Sequence, residues 1–311
     1  MKRNAPPFGW LTAGLLALCI AFGWASTAQC AKPNTPGLAI VAADDGEPTN
    51  RIVDAFEKQF PKAQVALASR AHGTGQKQAI HIAIGPAALR SLLKQSVEGV
   101  IVSVFTSSQA YREILEEVSE PRRAAVTAVY AEPAPTDQLR LVSALYKKRV
   151  TVAVLLSDKN AFLLPILRRA AAQNNLELSA EPLSDAHDLN RALDRVATAS
   201  VLLAIPDNTI YNAENIRTIL ITTYRRDQLM IGFSTAFVKA GAAATTYSSI
   251  EDIAAQVEEL LNEYAASGRL PEAQFPKYFG VAINDNVARS LNLVIDDSVR
   301  KLSRRPGEQK P

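Results

Sequence analysis

Apolar residues in this chain come in short blocks separated by polar turns, and the blocks alternate in kind. Residues 37–43, 63–68, 79–84, 99–105 and 125–130 are compact apolar runs rich in Val, Ile and Ala. Between them lie stretches with helical spacing; Ile52, Val53, Phe56 and Phe60 fall on one face. Short, wholly apolar strands alternating with amphipathic helices predict a parallel sheet covered on both sides.

The segment 131–135, Ala-Glu-Pro-Ala-Pro, interrupts that rhythm. Its two prolines exclude a helix interior and favour extended backbone. A helix over 136–148 restarts the alternation. Strands follow at 150–156, 176–182, 201–205, 229–233 and 242–247, with helices at 161–174, 186–197, 213–225 and 234–239 between them. Two similar α/β units joined by an extended segment predict two domains with a cleft between them. Beyond them, Ser249 and Asp252 have capping-box spacing ahead of a helix over 250–267. Residues 274–284 read as a strand that Pro276 restricts to a sheet edge, and 286–293 as a short helix.

The first 31 residues stand apart. Lys2 and Arg3 precede an apolar stretch over 11–25, and Ser26-Thr27-Ala28 offers a small-x-small cleavage site, with Ala31 as a second one. This is the layout of a cleaved signal peptide. It changes the charge picture: two of the 34 Lys and Arg belong to the leader, so a formal charge of +3 becomes about +1 for the body. No basic patch interleaved with aromatics points to nucleic acid. The basic segment 300–311 reads as a solvated, disordered tail. Cys19 and Cys30 lie in or beside the leader, which removes cysteine chemistry from the fold.

Catalytic motifs do not assemble. Asp44-Asp45 follows the first strand, but the third strand ends in Gly85-Pro86 and supplies no partner carboxylate. Gly73-Thr74-Gly75 is too short for a dinucleotide fingerprint, and no P-loop or GxSxG elbow is present. His72, His81 and His187 lack a metal-ligand partner at i+4. No cofactor and no enzyme activity are expected.

What remains is polar residues at the carboxyl ends of strands, where open α/β sheets bind ligands. From the first unit these are Asp44, the helix start with the Ala87 and Ala88 amides, and Thr106, Ser107 and Tyr130. From the second they are Asp207 and Tyr211 in the run VLLAIPDNTIY (201–211), with Ser234 and Tyr247. Asp207 suits a ligand donor such as an amine, and the tyrosines suit a planar ligand.

Four segments extend the reading: VYAEPAPTDQLRLVSAL (129–145), LLAIPDNTIYNAENIRTILITTYRR (202–226), IGFSTAFVKAGAAATTYSS (231–249) and YFGVAINDNVARSLNL (278–293). Together they make the chain resemble the ABC-transporter substrate-binding proteins of the tryptophan/tyrosine type, in a poorly characterised proteobacterial branch. The resemblance implies a type I periplasmic-binding-protein fold, with two Rossmann-like lobes and a hinged interlobe cleft. The first lobe would hold 37–130 plus 249–268, and the second 136–245 plus 274–299. It implies crossings near 129–135, 245–248 and 270–275. It further implies a periplasmic, monomeric protein that hands a small-molecule ligand to an ABC permease in the inner membrane, or reports it to a membrane sensor. Amino-acid binders of this kind usually carry Gly-Thr or Gly-Ser where this chain has Gly85-Pro86.

Overall fold

A computed structural model describes residues 37–69, 79–118, 121–185 and 188–307. The leader, both cysteines, His72 and His187 lie outside the described residues.

The first sheet holds β1 (Leu38–Ala42), β2 (Gln64–Leu67), β3 (Ile80–Ile84), β4 (Gly99–Thr106) and β5 (Ala124–Tyr130), all parallel in the order β2-β1-β3-β4-β5. It is served by helices α1 (Glu47–Gln59), α2 (Gly85–Lys94) and α3 (Ser108–Glu117). Successive side chains of a strand point to opposite faces, so Ile40 and Ala42 join one core while Ala39 and Val41 join another. Val53 and Phe56 of α1 cover the first face; Leu89, Leu92 and Ile114 of α2 and α3 cover the second. Burial on both faces is why these strands are apolar without alternation.

After helix α4 (Pro135–Tyr146) the second sheet is built from β6 (Thr151–Leu156), β7 (Glu177–Pro182), β8 (Val201–Leu203), β9 (Leu229–Ile231), β10 (Ala244–Tyr247) and β11 (Gly280–Ile283). Its order is β11-β10-β9-β8-β6-β7, and only the edge strand β11 is antiparallel. Numbered from its own first strand, the parallel part repeats the order of the first sheet. Helices α5 (Leu164–Gln173), α6 (Leu189–Arg195), α7 (Ile216–Arg225) and α8 (Thr235–Ala240) connect it. The helix expected from 161 starts as a 3-10 turn, Asp158–Leu163, with Pro165 in the first turn of α5.

From β10 the chain passes to α9 (Ile250–Ser267), which packs on the first sheet through Ile253, Val257 and Leu260. Both bonds of its capping box form, Asp252 N–H to Ser249 at 3.0 Å and Ser249 N–H to Asp252 at 3.0 Å. Gly268 ends it with φ 68°, a left-handed turn that costs glycine least. The chain thus connects the two sheets three times, through 131–134, 248–249 and 268–279.

Two expectations are corrected here. The strand over 274–284 is only Gly280–Ile283, preceded by a lone parallel bridge from Gln274 to Val129 of the first sheet. Pro276 separates the two because it has no N–H to donate. The basic end is also not free. Beyond the short helices α10 (Asp285–Ser290) and α11 (Asp297–Arg300), Arg304 pairs its backbone with Phe279, at 2.8 and 2.9 Å. Its side chain reaches Asp137 at 3.8 Å, and Arg305 bonds Asp252 at 2.7 Å. Both acids are buried at helix starts, where a cation offsets their desolvation. Residues 308–311 lie outside the description.

Candidate functional site

The carboxyl ends of the two parallel sheets carry the candidate residues, and β4 shows why its end is special. The strand bulges between Val104 and Thr106, with Phe105 at φ 55°. A bulge re-aims the residues that follow it. Thr106 turns inward and accepts a bond from Ser103 at 3.0 Å, and Ser107 caps α3 by accepting from Ala110 N–H at 3.2 Å.

The next amide of α3 meets a side chain that motif reasoning passed over. Glu132, on the first connection between the sheets, accepts from Ser108 N–H at 2.9 and 3.1 Å through both carboxylate oxygens. Glu132 is 6% exposed. Burial pushes its pKa above the ordinary glutamate value, and the bonds from Ser108 offset that in part. A helix N-terminus after a parallel strand is where an external anion would ordinarily sit. Here the protein's own carboxylate takes one of its amides.

Facing it, the loop after β8 is held from within the second sheet. Asp207, 3% exposed, accepts bonds from the Ser157 hydroxyl, from Asn160 Nδ2 at 2.9 Å and from Thr209 N–H at 2.9 Å. Its carbonyl takes the Tyr211 N–H at 2.7 Å. Asn160 is the link between sheets: its Nδ2 also donates to Pro206 O at 3.0 Å and to Gln109 Oε1 of α3 at 3.1 Å. Two more contacts join α3 to the same 3-10 turn. Lys159 pairs with Glu113 at 2.7 Å, and the Arg112 guanidinium lies 4.4 Å from the Phe162 ring centre.

Below these polar groups lies a cavity of about 20 Å³, lined by Glu132, Leu163, Pro206, Phe233 and Phe275 among others. That is room for about one water. Tyr130 does not line it but packs edge-on against its Phe275 at 5.0 Å and against Tyr111 at 5.7 Å.

The predicted residues therefore separate into groups. Thr106, Ser107 and Tyr130 lie together beside Glu132, and Asp207 lies opposite through Asn160 and Gln109. Tyr211 is not a cleft wall. It is 7% exposed and packs edge-on against Phe233 and Phe237 at 6.1 and 6.0 Å, and its buried hydroxyl has no partner among the described residues. Phe233 holds the position on the cavity instead. Ser234 caps α8 by accepting from Phe237 N–H at 3.3 Å. Tyr247 ends β10, half-buried and paired with Gly280. Asp44 is exposed and bonded locally to Gly46 and Thr49, which holds its carboxyl below the usual aspartate value. Ala87 and Ala88 lie in the first turn of α2, the former exposed and the latter buried.

Ser157, Asn160, Gln109 and Phe275 were also not picked out from the sequence. The one available signal was Glu132, an acid between the prolines and small residues of an extended segment. Among the described residues no group of three or more His, Cys, Asp or Glu could hold a metal ion, and no helix is long and apolar enough to cross a membrane.

No protein-family model and no curated protein matches the chain. Solved structures do. A domain from Streptococcus pneumonia, determined in complex with L-Trp, superposes with a TM-score of 0.55 at 13% identity, over 86% of this chain and 98% of that one. A ligand-free, open substrate-binding protein with adhesive properties from Clostridium difficile gives 0.61 at 12% identity, over 85% and 97%. A conserved domain protein from Vibrio cholerae gives 0.53 at 17%, over 85% and 97%. With the repeated strand order and three connections, this decides the architecture. The chain has the type I periplasmic-binding-protein fold. In that fold the strand ends of the two lobes face each other across a cleft, and Glu132, Gln109, Asn160 and Asp207 occupy the junction.

Proposed function

We propose that this chain is a periplasmic solute-binding protein that captures a small polar or aromatic molecule by lobe closure for an ABC importer. The observation that carries this reading is the junction itself. Gln109 of one lobe bonds Asn160 of the other, and Asn160 bonds Pro206, which lines a cavity with Glu132, Phe233 and Phe275 where the chain crosses between lobes. Three thin connections allow one lobe to swing against the other, and the Gln109–Asn160 and Lys159–Glu113 contacts have a partner on each side. The solved relatives named above, one with L-Trp and one open and ligand-free, support the same use of the fold.

The ligand is held without covalent chemistry. Thr106 and Ser107 contribute from the first lobe and Asp207 from the second, with Tyr130 and Tyr247 at the edges. Asp44, the Ala87 and Ala88 amides, Tyr211 and Ser234 complete the proposed set, Tyr211 through its support of Phe233. The leader directs export, the mature protein acts as a monomer, and its partner is a permease in the inner membrane.

Isothermal titration of the purified protein with amino acids, amines, purines and small carboxylates tests this. Saturable heat, together with a fall in the radius of gyration on binding, is the expected result. No heat with any class would overturn the reading.

A further inference from the structure

We infer that the cleft is built for an organic cation, an amine carried on an aromatic or aliphatic body, with no carboxylate seated on α3. The inference rests on the binding-protein reading above and deepens it by naming the ligand class.

Acceptors outnumber donors at the junction. Glu132 presents two carboxylate oxygens, Asp207 two more, and Gln109 and Asn160 an amide oxygen each. An ionised carboxylate offers about four lone-pair sites. Glu132 accepts from the Ser108 N–H, the Ser108 hydroxyl and its own backbone N–H, and Asp207 accepts three bonds. Both retain acceptor capacity. Neither forms an ion pair among the described residues: Lys159 is engaged by Glu113, and Arg112 by the face of Phe162. Buried carboxylates without a direct ion pair are costly, Lys159 acting on Asp207 only at longer range, and a ligand ammonium placed beside them lowers that cost.

A second, independent observation points to a ligand donor. Asn160 is 1% exposed, and its Oδ1 has no hydrogen-bond partner among the described residues. The orientation of that amide is set by three acceptors around Nδ2, in Gln109, Pro206 and Asp207. Its oxygen is therefore a real acceptor, buried and without a donor among the described residues. A buried acceptor without a donor is uncommon in a folded protein.

The rest of the site fits the same ligand. An anion would ordinarily bind the amides at the start of a helix, but at α3 Glu132 holds the buried Ser108 N–H and Ser107 accepts from those of Ala110 and Tyr111, so a second carboxylate finds little there. Pro86 removes an amide from the start of α2 as well. Phe233 and Phe275 supply flat apolar surface for the ligand body, and a ring face also attracts a cation. The cavity is about 20 Å³, so entry of a ligand requires the Gln109–Asn160 and Lys159–Glu113 contacts to part. Because Glu132 lies on the connection between lobes, an ammonium held there bears directly on closure.

The experiment compares matched probes by isothermal titration: tryptamine and tyramine, their amino acids tryptophan and tyrosine, the acid indole-3-acetate, neutral indole, and a panel of sugars. The amines should bind at least about tenfold more tightly than the amino acids, with indole-3-acetate weakest. Glu132→Gln should weaken the amines by about tenfold or more while leaving indole unchanged, since it removes charge and keeps shape. The wild-type ranking stands as a test even where a variant fails to fold. If tryptophan, tyrosine or a sugar binds more tightly than the amines, the ligand class is wrong and the binding-protein reading stands. If amines bind but Glu132→Gln has no effect in a folded protein, the assigned site is wrong. If nothing binds, both readings fall.

Discussion

Asp44 and Asp207 each lie just past a buried strand at its carboxyl end, Asp44 after the first strand of its sheet and Asp207 after the third strand of the other. Their local chemistry is alike. Asp44 Oδ1 accepts from Gly46 N–H at 3.0 Å, and Asp207 Oδ1 accepts from Thr209 N–H at 2.9 Å, both two residues on. This is the turn that aspartate makes with its own backbone. Their surroundings are opposite. Asp44 is exposed and among the described residues bonds nothing farther away than Thr49, whereas Asp207 is 3% exposed and is tied to Ser157 and Asn160 about fifty residues earlier. The same short motif is thus a surface turn in one lobe and a buried polar anchor in the other. What separates them is the 3-10 turn Asp158–Leu163, which the first lobe has no counterpart for after its own β1.

Mutations that exploit this contrast should differ widely in effect. The largest loss is expected from Asp207→Ala, which removes the acceptor of the Ser157 hydroxyl and the Thr209 N–H and one of the three acceptors of the Asn160 amide. Leaving such buried groups unpaired should cost about 3 kcal/mol in urea unfolding. A cost comparable to that of an exposed turn would show that Asp207 is not an anchor.

Glu132→Gln comes next, and its signature is a dependence on pH. The folded-state pKa of Glu132 lies above its unfolded value because burial disfavours the charge. Such a group contributes stability fully present below the unfolded pKa, which is lost as pH rises through the folded value. The variant, which does not titrate, should therefore gain on the wild type as pH is raised from 4 to 8. Chemical unfolding across that range reads the difference, and a constant gap would remove the buried charge from the account.

A third buried acid, Asp252, sharpens the comparison because it does have a cation. Arg305→Ala removes that partner, but the guanidinium is 41% exposed. Solvent screening therefore limits the loss to less than about 1 kcal/mol. The smallest effect belongs to Asp44→Ala, which should leave the unfolding midpoint within experimental error. A clear drop there would mean that the first-lobe turn carries more than its exposed contacts indicate.

Much of the architecture was legible beforehand because it depends on local pattern. Apolar blocks located the strands, the Ser249/Asp252 spacing located the start of α9, and the prolines of 131–135 marked a passage between sheets. The errors have local causes too. Pro276 split what reads as one strand, and the basic end was drawn in by two buried carboxylates that its composition does not reveal. The candidate site was legible only in part. Strand-end position drew notice to Asp207, Thr106, Ser107 and Tyr211 alike, yet the structure places Tyr211 in the core. Glu132, Asn160 and Gln109 lie in unremarkable contexts, and what distinguishes them is the company they keep across 24 to 51 residues of chain.

The sequence by itself determined the alternation of strands and helices, the two-unit plan and the segment that joins the units, because periodicity and proline stereochemistry act over a few residues. Only the tertiary structure decided which polar residues would be buried together. Burial of Glu132 and Asp207 comes from elements far apart in the chain, and a carboxylate's chemistry follows from what replaces its water.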